Sequence, residues 1–304
     1  MCSHETTTGW GGSAPTTMSI VETELGHFLR TRRGRLQPAD VGLVSYGARR
    51  VPGLRREELA QLAGISMTYY TRLEQGHSQQ ASDEILLAIA RALRLDEDET
   101  AHLRDLARPA NHPRPRAQEP EPAREGARRL VGAMSGVAAI AMDRRSDVLA
   151  WNSTAHRLLA GHHDEHSPCS VDTRPNLTRM LFLDPHTREL YAQWELEAER
   201  SVASLRLVAG RHPDDRYLAE LIGELSMQSP DFARLWSAHP VLNCSFGTKV
   251  FLHPVVGRLE LGYEVVQFPD NSAHRLLMYT AEAGSPSAVA LELLERGTAD
   301  LKVS

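Results

Sequence analysis

Lysine is almost missing from this chain. Of its 34 cationic side chains only Lys249 and Lys302 are lysines, an arginine bias that reads as the composition of the coding sequence rather than as a functional device. Cysteine is as scarce. Cys2, Cys169 and Cys244 are odd in number and far apart, which excludes a disulfide framework and a Cys-x-x-Cys metal knuckle. Cys169 with Cys244 stays open as a redox pair, against the plainer reading of small core or loop thiols. No apolar run reaches the roughly 18–20 residues of a membrane span. The first twenty residues, rich in Thr, Gly and Ser, lack the basic start and apolar middle of a signal peptide. A cytoplasmic protein with a disordered tail over 1–19 is expected. Catalytic signatures are missing too: there is no Gly-x-Ser-x-Gly elbow, no phosphate-cradling glycine loop and no His-Glu-x-x-His. The run His162-His163-Asp164-Glu165-His166 has the spacing of neither a helical face nor a closed tetrahedral site. Neither an enzyme nor a metal site is expected from these patterns.

What is present is a helix-turn-helix spacing. Arg56 to Gln75 reads as two short helices broken once, at Gly64, with Leu59, Ala63, Ile65, Tyr70 and Leu73 on the buried side and Ala60 small enough for a close crossing. Gly64 supplies the positive φ of a tight turn. Ser66 stands where the second helix needs its N-cap, leaving that end suited to a phosphate. Double-stranded DNA is the implied partner. Net charge is −5, yet its distribution supports the same partner. Arg30 to Arg72 carries nine arginines against Asp40, Glu57 and Glu58, a local +6, while Asp83 to Asp105 carries seven acids against three arginines, a local −4. A basic patch at the motif with acid behind it is an electrostatic footprint for a polyanion.

The chain divides at proline. Residues 20–108 predict five helices around one small core. Leu25, Phe28 and Leu29 give the first its face, Pro38 to Pro52 is a loop, Ser82 caps the fourth, and Asp96 with Glu99 opens the fifth as a capping box. Residues 109–124 form a stiff linker, Pro109 to Pro122 holding five of the seventeen prolines. Residues 125–304 predict an α+β domain, an antiparallel sheet covered by helices. Its parts are a hairpin over Val137–Ala150, a short helix to Leu159, a polar loop over Gly161–Pro175 and one long helix from Pro185 to about Ala209. A helix over Pro213–Met227 and a short one carrying Phe232, Leu235 and Trp236 follow. The chain ends in a second hairpin across Val255-Val256-Gly257, a strand over Leu276–Ala281 and a closing helix over Ala288–Glu295.

From about residue 24 onward the chain resembles the bacterial MmyB-like regulators, helix-turn-helix proteins of the Xre, phage-repressor-like class. The match is carried by Leu-Arg-Thr-Arg-Arg (29–33), Arg-Arg-Val-Pro-Gly-Leu-Arg-Arg-Glu-Glu-Leu-Ala (49–60) and Tyr-Tyr-Thr-Arg-Leu-Glu-Gln-Gly (69–76). In the second half it is carried by Leu-Ala-Trp-Asn (149–152), Asn-Leu-Thr-Arg-Met-Leu-Phe-Leu-Asp-Pro (176–185), Ser-Pro-Asp-Phe (229–232), Leu-Trp (235–236) and His-Pro-Val-Val-Gly (253–257). Ser78-Gln79-Gln80-Ala81 departs from the more basic or proline-containing segment usual there. The resemblance implies an N-terminal DNA-binding domain joined to a PAS-like domain that takes a small apolar, fatty-acyl-like molecule, in a protein associated with the nucleoid.

Given that fold, the helix beginning at Ser66 enters the major groove. Ser66, Met67, Thr68, Tyr69 and Arg72 are the candidate base contacts, Met67 through a thymine methyl, Thr68 through that methyl or a base-edge hydrogen bond, and Arg72 as a fork onto guanine or phosphate. Arg55 and Arg56 are candidate phosphate contacts, as are Arg49 and Arg50 in the preceding loop. Such modules bind inverted half-sites as dimers. With no heptad seam, a homodimer contact is expected from globular surfaces of the second domain. For the ligand, Trp151, Phe182, Tyr191, Trp194, Trp236, Phe251 and Tyr263 are candidate lining. Asn152, Asn176 and Arg179 are the candidate polar end, Arg179 by bidentate capture of a carboxylate. Plain core packing competes for each aromatic. A second reading has the PAS-like half bind a protein, as in an antitoxin or sigma-factor partner.

Overall fold

The computed structural model describes residues 23–43, 53–76, 81–107, 123–242, 245–268 and 273–297. The tail 1–19, Arg49 and Arg50, nearly all of the proline-rich stretch and Cys244 lie outside these residues.

The first domain is built from α1 (Glu24–Arg35), α2 (Arg56–Ala63), α3 (Met67–Glu74), α4 (Asp83–Ala92) and α5 (Glu97–Ala107). Each starts where a side chain can accept an otherwise orphaned amide. Thr23 Oγ1 accepts from Gly26 N at 3.2 Å, Ser66 Oγ from Tyr69 N at 3.1 Å and Ser82 Oγ from Ile85 N at 3.4 Å. Asp96 and Glu99 bond reciprocally, at 3.2 and 2.8 Å. Gly64 lies at φ 67° between α2 and α3. Phe28, Leu29, Leu54, Leu59, Tyr70, Leu73, Ile89 and Leu103 are fully buried at the centre.

The second domain begins with α6 (Glu125–Ala133), a helix not among the expected elements. Then come β1 (Ala138–Met142), β2 (Val148–Trp151), α7 (Ser153–Ala160), α8 (Leu177–Leu183), α9 (Pro185–Leu190), α10 (Trp194–Arg211), α11 (Arg216–Gln228) and α12 (Pro230–Ser237). The chain closes with β3 (Phe246–His253), β4 (Gly257–Gln267), β5 (Arg275–Thr280) and α13 (Pro286–Arg296). The strands form one antiparallel sheet in the order β2-β1-β5-β4-β3. Alternation sorts its two faces. Ile140, Phe251, Leu259, Leu261, Tyr263, Leu277 and Tyr279 pack toward α7 and α13. Ala139, Ala141 and Leu276 pack under Val131 of α6. A separate helical core joins α8, α10, α11 and α12 around Phe182, Trp194, Leu221 and Phe232.

The single long helix expected from Pro185 is two, α9 and α10, broken at 191–193. Ala192 donates its N–H to Val250 O at 3.0 Å and Tyr191 bridges to Phe251. Hydrogen bonding to the edge strand β3 outweighs helix propensity there.

The two domains also share a buried seam that the linker reading did not anticipate. Leu207 of α10 and Val241 are buried in the first domain's core. Arg206, 1% exposed, reaches Glu24 Oε2 at 3.1 Å, donates to Trp236 O and lies 3.9 Å from the Trp236 ring centroid. Arg211 Nε meets Asp105 Oδ2 at 3.0 Å, Arg35 Nη2 donates to Ala238 O at 2.7 Å, and His27 stacks on His239 at 3.8 Å. Burial, with Arg206 and Arg32 nearby, holds His102 at about 3 and His239 at about 2. Both are neutral in the docked state and would take up protons when released. Docking is therefore strongest above the ordinary histidine value and weakens as pH falls below about 6.5, by up to about 1.4 kcal/mol per pH unit for each imidazole. Thermal unfolding at pH 7.5 and pH 5 checks this: the seam's transition drops in acid, and an unchanged transition would refute the assignment.

Candidate functional site

Two sites emerge, one on each domain. On the first, the leading edge of α3 is open. Met67 is 53% exposed, Ser66, Thr68 and Arg72 are exposed, and Tyr69 is half-buried. Helix α3 packs on α1 and α2, whereas the acidic α4 and α5 pack on α2, α1 and α10. Glu99 and Asp105 of that acidic segment are engaged by Arg32, at 2.8 Å, and by Arg211. Those acidic helices pack away from the exposed edge of α3.

Beneath that edge Glu74, at the end of α3, is fully buried. It accepts from Arg33 Nη2 at 2.8 Å, Arg56 Nη2 at 3.2 Å and Arg30 Nε at 3.5 Å. Arg33 Nη1 also donates to Leu54 O at 2.7 Å. One carboxylate thus joins α1, the start of α2 and the end of α3. Arg56, expected on phosphate, is half-buried and donates one nitrogen, Nη2, to this clamp. Arg55 is exposed, 3.5 Å from the equally exposed Glu57, a surface pair of little strength.

On the second domain a cavity of about 110 Å³ lies between the sheet and helices α8 and α10. Its apolar wall is Met142, Leu177, Leu181, Val265 and Leu277. Lys249 Nζ pairs with Glu197 Oε2 at 2.8 Å and lies 5.6, 4.8 and 5.9 Å from the ring centroids of Tyr191, Tyr263 and Tyr279. Burial works against the ammonium, but Tyr191 and Glu197 override it and raise its pKa above the ordinary lysine value. Arg200 holds Glu197 Oε1 at 2.8 Å. Arg275 lines the cavity with its Nε buried and without a hydrogen-bond partner, and burial lowers its pKa. Lys249 and Arg200 share the Glu197 carboxylate, while Arg275 Nη2 donates to Asp143 O at 3.1 Å and Arg144 O at 3.4 Å.

Of the ten residues expected to bind ligand, Tyr191 and Tyr263 reach this cavity. The others are placed elsewhere. Asn152 caps α7 and fastens the start of β1, bonding Ala155 N, Ala139 N, Met134 O and Val137 O. Asn176 caps α8 and holds Arg145 O and Asp147. Arg179 makes the expected two-pronged carboxylate contact, but with Glu224, at 3.0 and 2.6 Å. Trp151 donates to Glu165 O beside a different hollow. Phe182, Trp194 and Trp236 belong to the helical core, and Phe251 is buried between Tyr191 and Tyr279. Lys249, Glu197, Arg200, Arg275 and Tyr279 were not singled out from sequence. One signal was available: Lys249 is in phase with Phe251 on a strand, one of only two lysines in a chain that otherwise uses arginine.

Among the described residues no helix is long and apolar enough to cross a membrane. Comparison with curated proteins gives no match. Family comparison does: residues 24–103 match a helix-turn-helix domain, and residues 123–294, more than half of the chain, match the MmyB-like transcription regulator ligand binding domain. With an exposed α3 in the first match and a lined cavity in the second, the chain belongs to the MmyB-like transcription regulators, a DNA-binding helix-turn-helix joined to a ligand-binding domain.

Proposed function

We propose that this chain is a sequence-specific, Xre-class regulator in which a small acid-headed ligand, seated in a PAS-like domain, alters the placement of the reading helix through α10. The observation that carries the reading is the span of that one helix. Glu197, Arg200, Ser201 and Ser204 of α10 line the cavity, and Arg206, Leu207 and Arg211 of the same helix dock the first domain. A ligand acts only through its differential affinity for two arrangements of α10. The strand order supports the PAS-like assignment. Exposed Phe246, Leu252 and Val266 on β3 and β4 support a homodimer formed by the second domain on an inverted repeat.

The cavity chemistry supports an acidic head on Lys249, Arg200 and Arg275. Its volume is below the roughly 150 Å³ that holds benzene, which favours a short apolar part over a long fatty-acyl chain. Thermal shift with straight-chain carboxylates from propionate to dodecanoate, each against its matching alcohol, tests this. Acids are expected to stabilise more than alcohols, and Lys249→Met to abolish the difference. Alcohols performing equally would remove the acid-head assignment.

On DNA, Arg72→Ala is expected to cost about 1–3 kcal/mol and relax preference at one base position. Arg55→Ala should weaken all duplexes alike and reduce the salt slope by about one. Fluorescence anisotropy over a salt series separates the two; a sequence-dependent effect of Arg55→Ala would reverse their roles.

A further inference from the structure

The run at 162–166 has no metal spacing by itself, but the fold brings a carboxylate to it. Asp184, between α8 and α9, places Oδ2 2.6 Å from His162 Nε2. Ligand atoms of His162, His163 and Asp184 all lie within 4.8 Å of one another. His163 Nε2 is buried with no hydrogen-bond partner, an arrangement that costs stability unless something accepts its lone pair or proton. The His186 ring stands 4.2 Å from that of His162, and His163 lies 4.3 Å away on the same ring.

Neighbouring histidines are used differently. His156 Nε2 is bonded to His163 O at 2.8 Å, which fixes the loop. His253 bonds Arg157 O through Nε2 and accepts from Val255 N through Nδ1. Both are structural. His162, His163 and Asp184 differ in converging, from positions 22 residues apart in the case of His162 and Asp184, on one point at the domain surface.

The geometry points to a binding site for a borderline divalent cation of the zinc class, ligated by His162, His163 and Asp184. Two imidazoles and one carboxylate suit Zn²⁺ or Co²⁺ rather than Mg²⁺ or Ca²⁺, which favour oxygen donors. Asp184 already accepts from Thr187 Oγ1 at 2.9 Å and His186 N at 2.9 Å, the kind of outer support that orients a ligating carboxylate. An ion here would tie the 161–166 loop to the junction of α8 and α9.

The test titrates Co²⁺ into the full, untagged, chelator-treated chain and follows the visible absorption of the bound ion, with Zn²⁺ and Mg²⁺ as competitors. One ion per chain is expected, displaced by Zn²⁺ and not by Mg²⁺. His163→Ala should weaken binding at least about 100-fold, whereas His166→Ala should leave it unchanged. His162→Gln, at a partly exposed position, repeats the loss in case His163→Ala does not fold. Absence of a stoichiometric Co²⁺ spectrum, or binding that survives both His162→Gln and His163→Ala, overturns the site.

Discussion

Arg206→Ala is expected to loosen the first domain from the second by about 2–5 kcal/mol and to uncouple DNA binding from the ligand. The side chain reaches the seam fully buried, bonds Glu24 and Trp236 O and covers the Trp236 ring. Truncation removes a charge-assisted hydrogen bond of about 1.5–3 kcal/mol and a cation–π contact of about 0.5–2 kcal/mol. Burial has already lowered this arginine's pKa to about 10, so the surrounding contacts carry a desolvated charge. Hydrogen exchange should report faster opening of α1 and of the last turns of α10, with the β-sheet unchanged. Anisotropy titrations with and without an effective carboxylate should give the same DNA affinity in the variant and different affinities in the parent chain. A variant that keeps the ligand response would show that α10 is not the coupling element.

Arg33→Met should lower the stability of the helix-turn-helix domain by about 3–5 kcal/mol, the range for breaking a buried ion pair from one side. That is a large part of the about 5–15 kcal/mol holding a typical domain. Burial pushes the Glu74 carboxyl upward, but hydrogen bonds from Arg33 and then Arg56 prevail and hold it below its ordinary value. Its contribution is therefore complete at neutral pH and fades as pH falls through and below the usual carboxylate range near 4.3. Without Arg33 a fully buried charge keeps partners at 3.2 and 3.5 Å whose own side chains are 40% and 48% exposed. Adding Glu74→Gln to Arg33→Met should restore part of the loss, because it removes that charge. Chemical denaturation of the single and double variants decides the matter; a loss under about 1 kcal/mol, or no recovery in the double variant, would mean the clamp is not what fixes α3.

Local chemistry was the legible part of this chain. Ser66, Ser82 and the Asp96–Glu99 pair announce helix starts because capping depends on residues three apart, and Gly64 announces the turn because few residues adopt its φ cheaply. The alternation Leu259-Leu261-Tyr263-Val265 announces a half-buried strand, since side chains along a strand alternate between faces. Arg56 shows where such reading ends. Its position at a helix start suits phosphate, but its partner Glu74 lies eighteen residues on. Aromatics named for the ligand met the same limit: large rings fill cores as readily as they line cavities, and Phe182, Trp194 and Trp236 do the former.

Sequence by itself determined the helix-turn-helix, the antiparallel α+β character of the second half and the family resemblance, because these rest on contacts within a few residues or on periodicity. Tertiary structure alone decided the Lys249–Glu197 cavity, the burial of Arg206 between domains, the break before α10 and the meeting of Asp184 with His162. Each joins positions far apart in the chain, and nothing in residue order fixes which distant groups will share a low-dielectric space.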